Sequence, residues 1–229
     1  MTDTTTPPGS ASSDRAVDAI AGAHRLVLAS ASPARLSTLR AAGVGPEVIV
    51  SGVDESLVGT EDPALLAVEL AVLKARAVAD RLGGTPAWVI GCDSVLELDG
   101  EVHGKPADAA EARTRWSAMR GRSGVLHTGH CLVDTAARRE VARSADTVVH
   151  FATPDDAEVD AYVATGEPLA VAGAFTLDGL GGAFVRGVEG DPHTVVGIGL
   201  PLLREMFGEL GVRWTDLWRW FPATDTPSG

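Results

Sequence analysis

Residues 26–43 read LVLASASPARLSTLRAAG, and this stretch determines how the fold begins. Its first four residues are apolar and are typical of a short buried strand. Ser32 stands directly before Pro33, and a serine cap followed by proline at the first helical position is a strong signal for a helix start. Leucines then recur at helical spacing until Gly43, which ends the helix. The stretch therefore predicts a strand, a serine loop and a helix N-terminus in succession.

The predicted helix N-terminus is suited to an anion. Backbone N–H groups in the first turn have no partner within the helix, and the helix dipole favours negative charge there. Ser30 and Ser32 lie in the loop, and Arg35 in the first turn adds a planar positive group that matches phosphate. The same residues also fit an ordinary capped helix with a surface arginine, because such caps are common.

Composition restricts the class of protein. A chain of 229 residues forms one large domain or two small lobes, and a hydrophobic content of 45% is ample for a core. The net charge of −12 argues against non-specific nucleic-acid binding and against an anionic membrane surface. No apolar run approaches the roughly 20 residues of a transmembrane helix, and the N-terminus lacks the features of a signal peptide. We therefore expect a cytoplasmic protein with no membrane or nucleic-acid partner.

The chain divides into three expected segments. Residues 1–22 are rich in Thr, Pro, Ser and Gly and predict a disordered tail. Residues 23–211 hold the periodic apolar pattern of a folded domain. Residues 212–229 form an extension with four aromatic side chains, which we expect to pack on the body of the protein or, as an alternative, on a partner.

The cysteines and histidines give no catalytic or metal-binding pattern. Cys92 and Cys131 lie in apolar strand-like runs, which predicts buried thiols rather than a disulfide. The histidines without metal-ligand spacing are interpreted as structural or surface residues: His103, His127, His130, His150 and His193.

A second polar cluster follows from hairpin geometry. Residues 88–92 predict a buried strand that delivers Asp93 and Ser94 at its end, and Asp99-Gly100 is the strongest hairpin signal in the chain. Counting back from a two-residue turn places Lys105 opposite Ser94 and diagonal to Asp93. The pattern predicts an acid, a hydroxyl and a lysine in one place. The alternative is an ion pair on an exposed hairpin, which contributes little to stability.

Lysine is rare, since the chain has seventeen arginines and two lysines, Lys74 and Lys105. Lysine offers a compact charge that arginine does not, although the bias can also arise by chance. Lys74 lies on a long helix that Asp62-Pro63 is expected to start, at the edge of its apolar stripe. Taken alone, such a residue is most often a surface lysine with a buried stem.

The other predicted elements complete an α/β order. The strands are expected at 48–50, 125–134, 140–151 and 183–185, and the helices at 107–120, at 155–165 with a cap at Thr153-Pro154, and at 200–210.

The motifs in this order resemble the Maf family of nucleotide pyrophosphatases. The family's S-x-S-P-R-R appears at residues 30–35, with Ala34 in place of the first arginine, and its lysine segment appears at 74–77. Residues 91–106 resemble the G-A-D-T hairpin motif, with Cys92 and Ser94 in place of the usual Ala and Thr, and residues 172–179 resemble the glycine-rich A-G-A-Y-G-I-Q-G motif, with Asp178 in place of the glutamine. The resemblance covers about residues 26–210.

The resemblance implies both a fold and an activity. The fold is α/β, like the inosine triphosphate pyrophosphatases: a mixed twisted sheet in two lobes with a central cleft. The activity is hydrolysis of nucleoside 5′-triphosphates to the monophosphate and pyrophosphate, for sanitation of the nucleotide pool, with Mg²⁺ or Mn²⁺ as the divalent metal. An aspartate is a weak base at pH 7, so metal activation of the attacking water is the more physical description. A homodimer is one possible assembly.

The resemblance also assigns roles to individual residues. The second acid of the turn at 51–55 faces the active site, and together with Asp93 it holds the metal and orients the water. The implied catalytic residues are Asp93, Glu55 and Lys105, the implied metal ligands are Glu55 and Asp93, and the implied substrate-binding residues are Ser30, Ser32, Arg35, Lys74, Ser94 and Asp178.

Base preference does not carry over from the resemblance. In the dTTP- and UTP-preferring branch, three positions linked to substrate choice hold Arg, Thr and Gln, whereas this chain has Ala34, Ser94 and Asp178. An ionised aspartate accepts a hydrogen bond from a base N–H but cannot donate one. The rival function is a non-enzymatic, nucleotide-binding regulator of cell division, for which an intact set of acids and lysines is not required.

Overall fold

A computed structural model describes residues 24–220, and these form a mixed α/β structure around one twisted sheet. The expected disordered tail at 1–22 and the last part of the C-terminal extension, including Phe221, lie outside the described residues. The strands follow the order β2-β1-β3-β5-β6-β7, and β4 also pairs with β3. β1 is parallel to β2 and β3, whereas the remaining pairs are antiparallel. The strands are β1 (Arg25–Leu28), β2 (Glu47–Val48), β3 (Ala87–Leu98), β4 (Glu101–His103), β5 (Ser123–Asp134), β6 (Arg139–Phe151) and β7 (Val185–Glu189).

Six α-helices within residues 24–220 flank the sheet. Short 3₁₀ turns follow α4 and surround the glycine-rich segment. None of the helices in this part of the chain is long and apolar enough to cross a bilayer. The helices are α1 (Pro33–Ala41), α2 (Pro63–Arg81), α3 (Ala109–Met119), α4 (Asp156–Ala164), α5 (Pro192–Val196) and α6 (Leu200–Glu209).

The helix starts and the hairpin follow their sequence signals. Ser32 caps α1 by accepting a hydrogen bond from the Arg35 N–H, and Asp62 caps α2 in the same way. At the turn between β3 and β4, Asp99 and Gly100 have φ of 57° and 81°. Two positive φ angles are what a two-residue type I′ hairpin requires. These predictions are confirmed.

The cap of α4 was predicted at the wrong residue. Asp155, not Thr153-Pro154, is the N-cap, because its side chain accepts from the Glu158 N–H while the Glu158 carboxylate accepts from the Asp155 N–H. This reciprocal capping box satisfies two helix-end donors at once, which a lone threonine cannot do.

Two predicted strands also differ from the structure. β2 covers only Glu47–Val48 rather than 48–50. Leu180–Phe184 forms a 3₁₀ helix, so the strand expected at 183–185 begins only at its last residue, in β7. The glycines in this segment favour a tight turn over an extended strand.

Side chains at alternate positions of β3 lie on one face of the sheet, where they belong to two separate cores. Trp88 and Ile90 pack with α1 and α6, whereas Leu96 and Leu98 pack with α3 and α4 in a separate cluster. Each fully buried large apolar side chain contributes roughly 1.5–3 kcal/mol to stability. The two clusters are the cores of two lobes, and Ser94 lies between them on the same face, so the two-lobed mixed sheet is confirmed.

The opposite face of the sheet is covered by α2, which lies very close to β3 and β5. A β carbon at Gly91 would lie 2.2 Å from the Ala71 carbonyl oxygen, and one at Gly129 would lie 2.1 Å from the Ala67 carbonyl oxygen. Only glycine at both positions allows this approach. Because Gly91 and Asp93 share a face, the close packing brings α2 against Asp93.

One edge of β3 has a gap in its strand pairing. β1 pairs with β3 over residues 87–90, and β4 pairs with it over 96–98. Residues 91–95 therefore have a strand partner only on the other edge, where β5 runs alongside. The loop after β1 and the N-terminus of α1 lie at this gap, which positions the candidate site.

The C-terminal extension packs on the first lobe as far as the structure describes it. Trp214 contacts Phe207 edge-on at 6.1 Å between ring centroids, and Leu217 is fully buried. The Trp218 indole N–H donates to the Ala42 carbonyl oxygen at 3.1 Å. The expectation that these aromatics pack on the body is confirmed for this part.

Candidate active site

A buried lysine of α2 contacts two carboxylates. Lys74 Nζ lies 2.5 Å from Asp93 Oδ1 and 2.7 Å from Glu55 Oε1. The Lys74 and Asp93 side chains are 11% and 12% exposed, whereas the Glu55 side chain is 55% exposed. The two acids therefore converge on one cation at the border between the interior and the solvent.

Local structure fixes each member of this group. Lys74 lies on the buried stripe of α2, one turn after Ala71, which contacts Gly91 of β3. Glu55 opens a short 3₁₀ turn whose cap, Asp54, accepts from the N–H and the hydroxyl of Ser56. The hydrogen bonds from Ser56 lower the pKa of Asp54. The Asp54 carboxylate is thus engaged within the turn, whereas the Glu55 carboxylate reaches Lys74.

Arg35 ties the serine loop to the unpaired edge of β3. Its Nη1 donates to Ser30 Oγ at 3.1 Å and to the Cys92 carbonyl oxygen at 2.8 Å. Its Nη2 donates to Ser94 Oγ at 3.3 Å, and its Nε donates to the Gly197 carbonyl oxygen at 2.8 Å. A guanidinium has five N–H donors. Four are engaged here, so Arg35 fixes the loop and keeps one donor for a ligand.

The two serines of the loop have different tasks. Ser30 is buried, and its Oγ accepts from both Arg35 and the Ser32 N–H. Ser32 is partly exposed and caps α1. The loop is therefore preformed, with its backbone bent around Ser30 Oγ beside the gap in β3.

A polar strip between the two lobes was not found from the sequence. Ser94 Oγ and Thr128 Oγ1 are 3.0 Å apart, and Thr128 donates to the Thr194 carbonyl oxygen at 2.8 Å. His130 Nε2 accepts from the Gly199 N–H at 2.7 Å. The strip holds α5 and the following turn against the sheet. Its signal in the sequence is that Thr128 and His130 lie at alternate positions of a predicted strand and therefore share one face.

His130 is a structural residue, as the sequence indicated. Burial, with a further effect of the nearby Arg35, lowers the pKa of His130 to about 4. The ring is therefore neutral at pH 7, with Nδ1–H donating to the Thr128 carbonyl oxygen and Nε2 free to accept. The predictions for the cysteines are also confirmed. Cys92 and Cys131 are free and buried, and burial raises the pKa of Cys92 to about 12, so its thiol is not a nucleophile.

The predicted strand pairing of Lys105 with Ser94 is wrong. Asp93 lies within β3 rather than at its end, and the β3–β4 ladder stops at Leu96–His103, two residues short of Lys105. The Gly104 carbonyl oxygen accepts from the Gly173 N–H. Lys105 is exposed, and among residues 24–220 its ammonium has no ion-pair partner. The lysine that contacts Asp93 is Lys74.

The glycine-rich segment is held by an acid that sequence reasoning missed. The Glu167 carboxylate accepts hydrogen bonds from Tyr162 Oη, Thr176 Oγ1 and the N–H groups of Leu180 and Gly181. Burial alone would raise the pKa of Glu167, but these donors outweigh it and lower the pKa. The ionised Glu167 carboxylate therefore anchors the glycine-rich segment, in which Asp178 is exposed.

Asp178 lines a cavity of about 320 Å³. Ser37 and Thr38 of α1 and His193 of α5 line the same cavity. Ala34 lies one turn before Ser37 and Thr38 on the same face of α1. Two of the positions at which the chain departs from the dTTP/UTP pattern, Ala34 and Asp178, therefore belong to one region.

The donor set fits a divalent cation that shares its ligands with a substrate. Carboxylate oxygens suit Mg²⁺ and Mn²⁺, and those of Glu55 and Asp93 converge on the Lys74 ammonium. In the described part of the chain, no group of three or more His, Cys, Asp or Glu side chains is arranged to hold a metal. Mg²⁺ commonly binds through one or two carboxylates together with water and substrate phosphates.

Together, the fold and the site define a class: a two-lobed α/β protein with paired carboxylates, a buried lysine and a preformed serine–arginine loop. Comparison with known proteins is more specific. The family described as Maf-like protein matches residues 25–210. The chain belongs to the Maf family.

Relatives with high identity support this membership. A nucleoside triphosphate pyrophosphatase of Salinispora tropica is 62% identical over 199 residues, which cover 85% of this chain and 87% of the relative. Proteins of the same name from Streptomyces avermitilis and Streptomyces coelicolor are 59% and 58% identical over 195 and 202 residues. These matches cover 85% and 88% of this chain, and 95% and 97% of those relatives.

Proposed function

We propose that this protein is an enzyme that hydrolyses nucleoside 5′-triphosphates to the nucleoside monophosphate and pyrophosphate. The observation that carries the proposal is the convergence of Glu55 and Asp93 on Lys74, beside the loop fixed by Arg35. Family membership and relatives named nucleoside triphosphate pyrophosphatase support the same reaction.

Attack of water on the α-phosphorus needs a positioned water and neutralisation of the phosphate charge. Asp93 is held in one orientation by Lys74 and is suited to accept a hydrogen bond from the water and to receive its proton. Lys74 carries a buried positive charge that stabilises developing negative charge on the phosphate oxygens. Arg35 adds its charge and its remaining N–H, and the loop at 30–32 adds backbone N–H groups other than that of Ser32, which donates to Ser30 Oγ.

Glu55 and Asp93 are the residues that would hold Mg²⁺ or Mn²⁺. When bound, the metal would supply charge neutralisation on the phosphates and would lower the pKa of a coordinated water. Lys74 already keeps the two carboxylates close to each other, which reduces the reorganisation needed for ligation. Lys105, exposed two residues beyond β4, is placed by the proposal on the solvent side of the triphosphate.

The cavity at Asp178 is the proposed place of the base. Asp178 would accept from a base N–H, and Ser37 can donate or accept. The small Ala34 leaves room where the dTTP/UTP pattern has an arginine. The proposal therefore includes a base preference that differs from dTTP and UTP, and a role in removing unwanted nucleotides from the pool.

The proposal extends to partners and location. The substrate is the expected partner, and the net charge of −12 supports the absence of a nucleic-acid partner. A cytoplasmic location and a homodimer complete the proposal. Cell fractionation and light scattering test these two points.

Pyrophosphate release across a panel of triphosphates tests the activity. The panel includes modified bases, with Mg²⁺, with Mn²⁺ and with a chelator. We expect turnover with metal and its loss with chelator. Asp93→Asn should lower kcat at least about 100-fold, whereas Asp80→Asn, the same change at an exposed site of α2, should not. Binding of nucleotides without turnover would contradict the proposal and favour the regulator.

A further inference from the structure

A second cavity lies at the far end of the long strands, away from Asp93. Its volume is about 310 Å³, and Ser123, His150, Arg186 and Gly187 are among the residues that line it. Gly129 pairs with Asp93, and Ser123 lies six residues further along β5. At about 3.3 Å per residue, this is roughly 20 Å from Asp93. The cavity is therefore separate from the proposed catalytic site.

The lining of this cavity contains two arginines although the protein as a whole is acidic. Its lining includes Arg122, Arg186 and His150 but no carboxylate, in a chain of net charge −12. Two acids outside the lining contact side chains of the lining. Asp99 pairs with Arg122, and Glu189 Oε1 lies 3.0 Å from His150 Nε2. Among the described residues, Arg186 is therefore the cation of the lining that no acid pairs with, and such a charge attracts a small anion.

The Ser123 and His150 donors are already engaged, whereas those of Arg186 are free in the described part of the chain. Ser123 Oγ lies 2.7 Å from His150 Nδ1. Because Glu189 accepts at Nε2, that nitrogen carries the proton, and Nδ1 accepts from the Ser123 hydroxyl. Arg186 is exposed and, among the described residues, forms neither an ion pair nor a hydrogen bond. Its planar fork is therefore free for an oxyanion.

The backbone makes room for a ligand at the same place. Gly187 pairs with His150, and the β6–β7 register shifts between His150 and Phe151. A β carbon built at Gly187 meets no atom within 4 Å. Such bulges re-aim side chains and often accompany functional sites. The space above Gly187 is open between Arg186 and Ser123.

From this geometry we propose a second anion site, formed by the arginines Arg186 and Arg122 and lined by Ser123 and His150, which binds a phosphate group. The free fork of Arg186, with the three N–H groups of Arg122 that are not donated to Asp99 or to the Ala118 carbonyl oxygen, matches the several oxygens of a tetrahedral phosphate better than the two oxygens of a carboxylate. The phosphate is either a free anion or part of a small nucleotide, and both present the same oxygens to the site.

Binding at this place is measured on the full chain by NMR of the histidine side chains. The His150 signals are identified by their absence in His150→Gln. The protein is titrated with inorganic phosphate, with pyrophosphate and with a nucleoside monophosphate. We expect saturable shifts of the His150 signals. Shifts with inorganic phosphate identify a free anion, whereas shifts with the monophosphate alone identify a nucleotide.

Two variants and a control locate the site. Arg186→Ala removes the free fork and should weaken binding at least about tenfold, the usual effect of a lost charge-assisted hydrogen bond. Gly187→Val fills the open space and should abolish the shifts. Arg204→Ala removes an exposed arginine of α6 outside the cavity and should bind as wild type does. Pyrophosphate release by Arg186→Ala should be unchanged, because Arg186 is remote from Asp93.

Two results would overturn the proposed site. One is the absence of any shift of the His150 signals with all three probes. The other is equal binding by Arg186→Ala and Arg204→Ala. Arg186 is exposed, so its removal leaves the fold in place even if Gly187→Val does not fold.

Discussion

At the residue scale, the two lysines of the chain have different surroundings although both fall on family motifs. Lys74 is buried and bonded to two acids, whereas Lys105 is exposed. Removing one partner of a buried ion pair leaves the other charge without compensation, whereas an exposed charge is replaced by water. A role in substrate binding is proposed for both, but only Lys74 also supports the fold.

Alanine at each lysine separates these effects. Lys74→Ala should lower the free energy of unfolding by roughly 3 kcal/mol and reduce kcat/KM, because Asp93 loses its buried partner. Lys105→Ala should reduce kcat/KM with the free energy of unfolding unchanged. Urea denaturation and steady-state kinetics measure the two quantities, with Arg204→Ala as the control. Equal stability of Lys74→Ala and the control would show that the buried pair is not formed.

The proposed role of Asp178 in base preference is also tested by a single substitution. Asp178→Gln adds a donor and removes a charge in the cavity beside His193. Bases that offer acceptors should gain relative to bases that offer an N–H, since an unmatched buried polar group costs roughly 1–3 kcal/mol. The measurement is kcat/KM for a panel of triphosphates with both proteins. The same factor of change for every substrate would mean that Asp178 does not contact the base.

At the element scale, the sequence predicted the features that depend on local signals but not those that depend on long-range packing. The caps at Ser32 and Asp62 and the Asp99-Gly100 turn depend on neighbours within a few residues, so the sequence predicted them. The cap at Asp155 was missed because Thr153-Pro154 gave a similar signal. The contact of Lys74 with Asp93 depends on how α2 lies across β3, which no local pattern encodes.

The sequence predicted the candidate site only in part for the same reason. Its motifs identified Glu55, Lys74 and Asp93 through resemblance, but hairpin counting gave Lys105 as the neighbour of Asp93. The structure replaces that neighbour with Lys74. Glu167 was missed because its donors come from side chains and N–H groups up to 14 residues away.

The closeness of α2 and the sheet is testable through a single methyl group. Gly129→Ala would place a β carbon 2.1 Å from the Ala67 carbonyl oxygen and force the helix outward. We expect a loss of about 1–3 kcal/mol in the free energy of unfolding, together with lower activity as Lys74 moves from Asp93. Gly208→Ala in α6, where a β carbon meets no atom within 4 Å, is the matched control and should be neutral or stabilising. Normal stability and activity of Gly129→Ala would contradict this packing.

At the scale of the whole molecule, the two lobes meet at a polar strip that includes His130. Burial lowers the pKa of His130 to about 4, from an ordinary value of 6.5. Between these values the unfolded chain binds a proton that the folded protein does not. The contribution of His130 to the free energy of unfolding is therefore complete above pH 6.5 and falls as the pH is lowered towards about 4.

Replacing His130 should remove this part of the pH dependence. In His130→Gln the side-chain carbonyl can still accept from the Gly199 N–H, but it does not titrate. Between pH 6.5 and about 4, the free energy of unfolding of the wild type should fall more steeply than that of the variant. Above pH 7 the two curves should be parallel. Urea denaturation over this pH range measures both, and parallel curves throughout would contradict a neutral, buried His130.

The hydrolysis proposed at Asp93 and Lys74 is the central claim, and the position of bond cleavage tests it most directly. Hydrolysis of a nucleoside triphosphate is carried out in water labelled with ¹⁸O, with Mg²⁺ present, and the products are analysed by mass spectrometry. Attack on the α-phosphorus predicts equal amounts of monophosphate and pyrophosphate, with the label in the monophosphate. Label in the pyrophosphate, or release of nucleoside diphosphate and phosphate, would contradict the account.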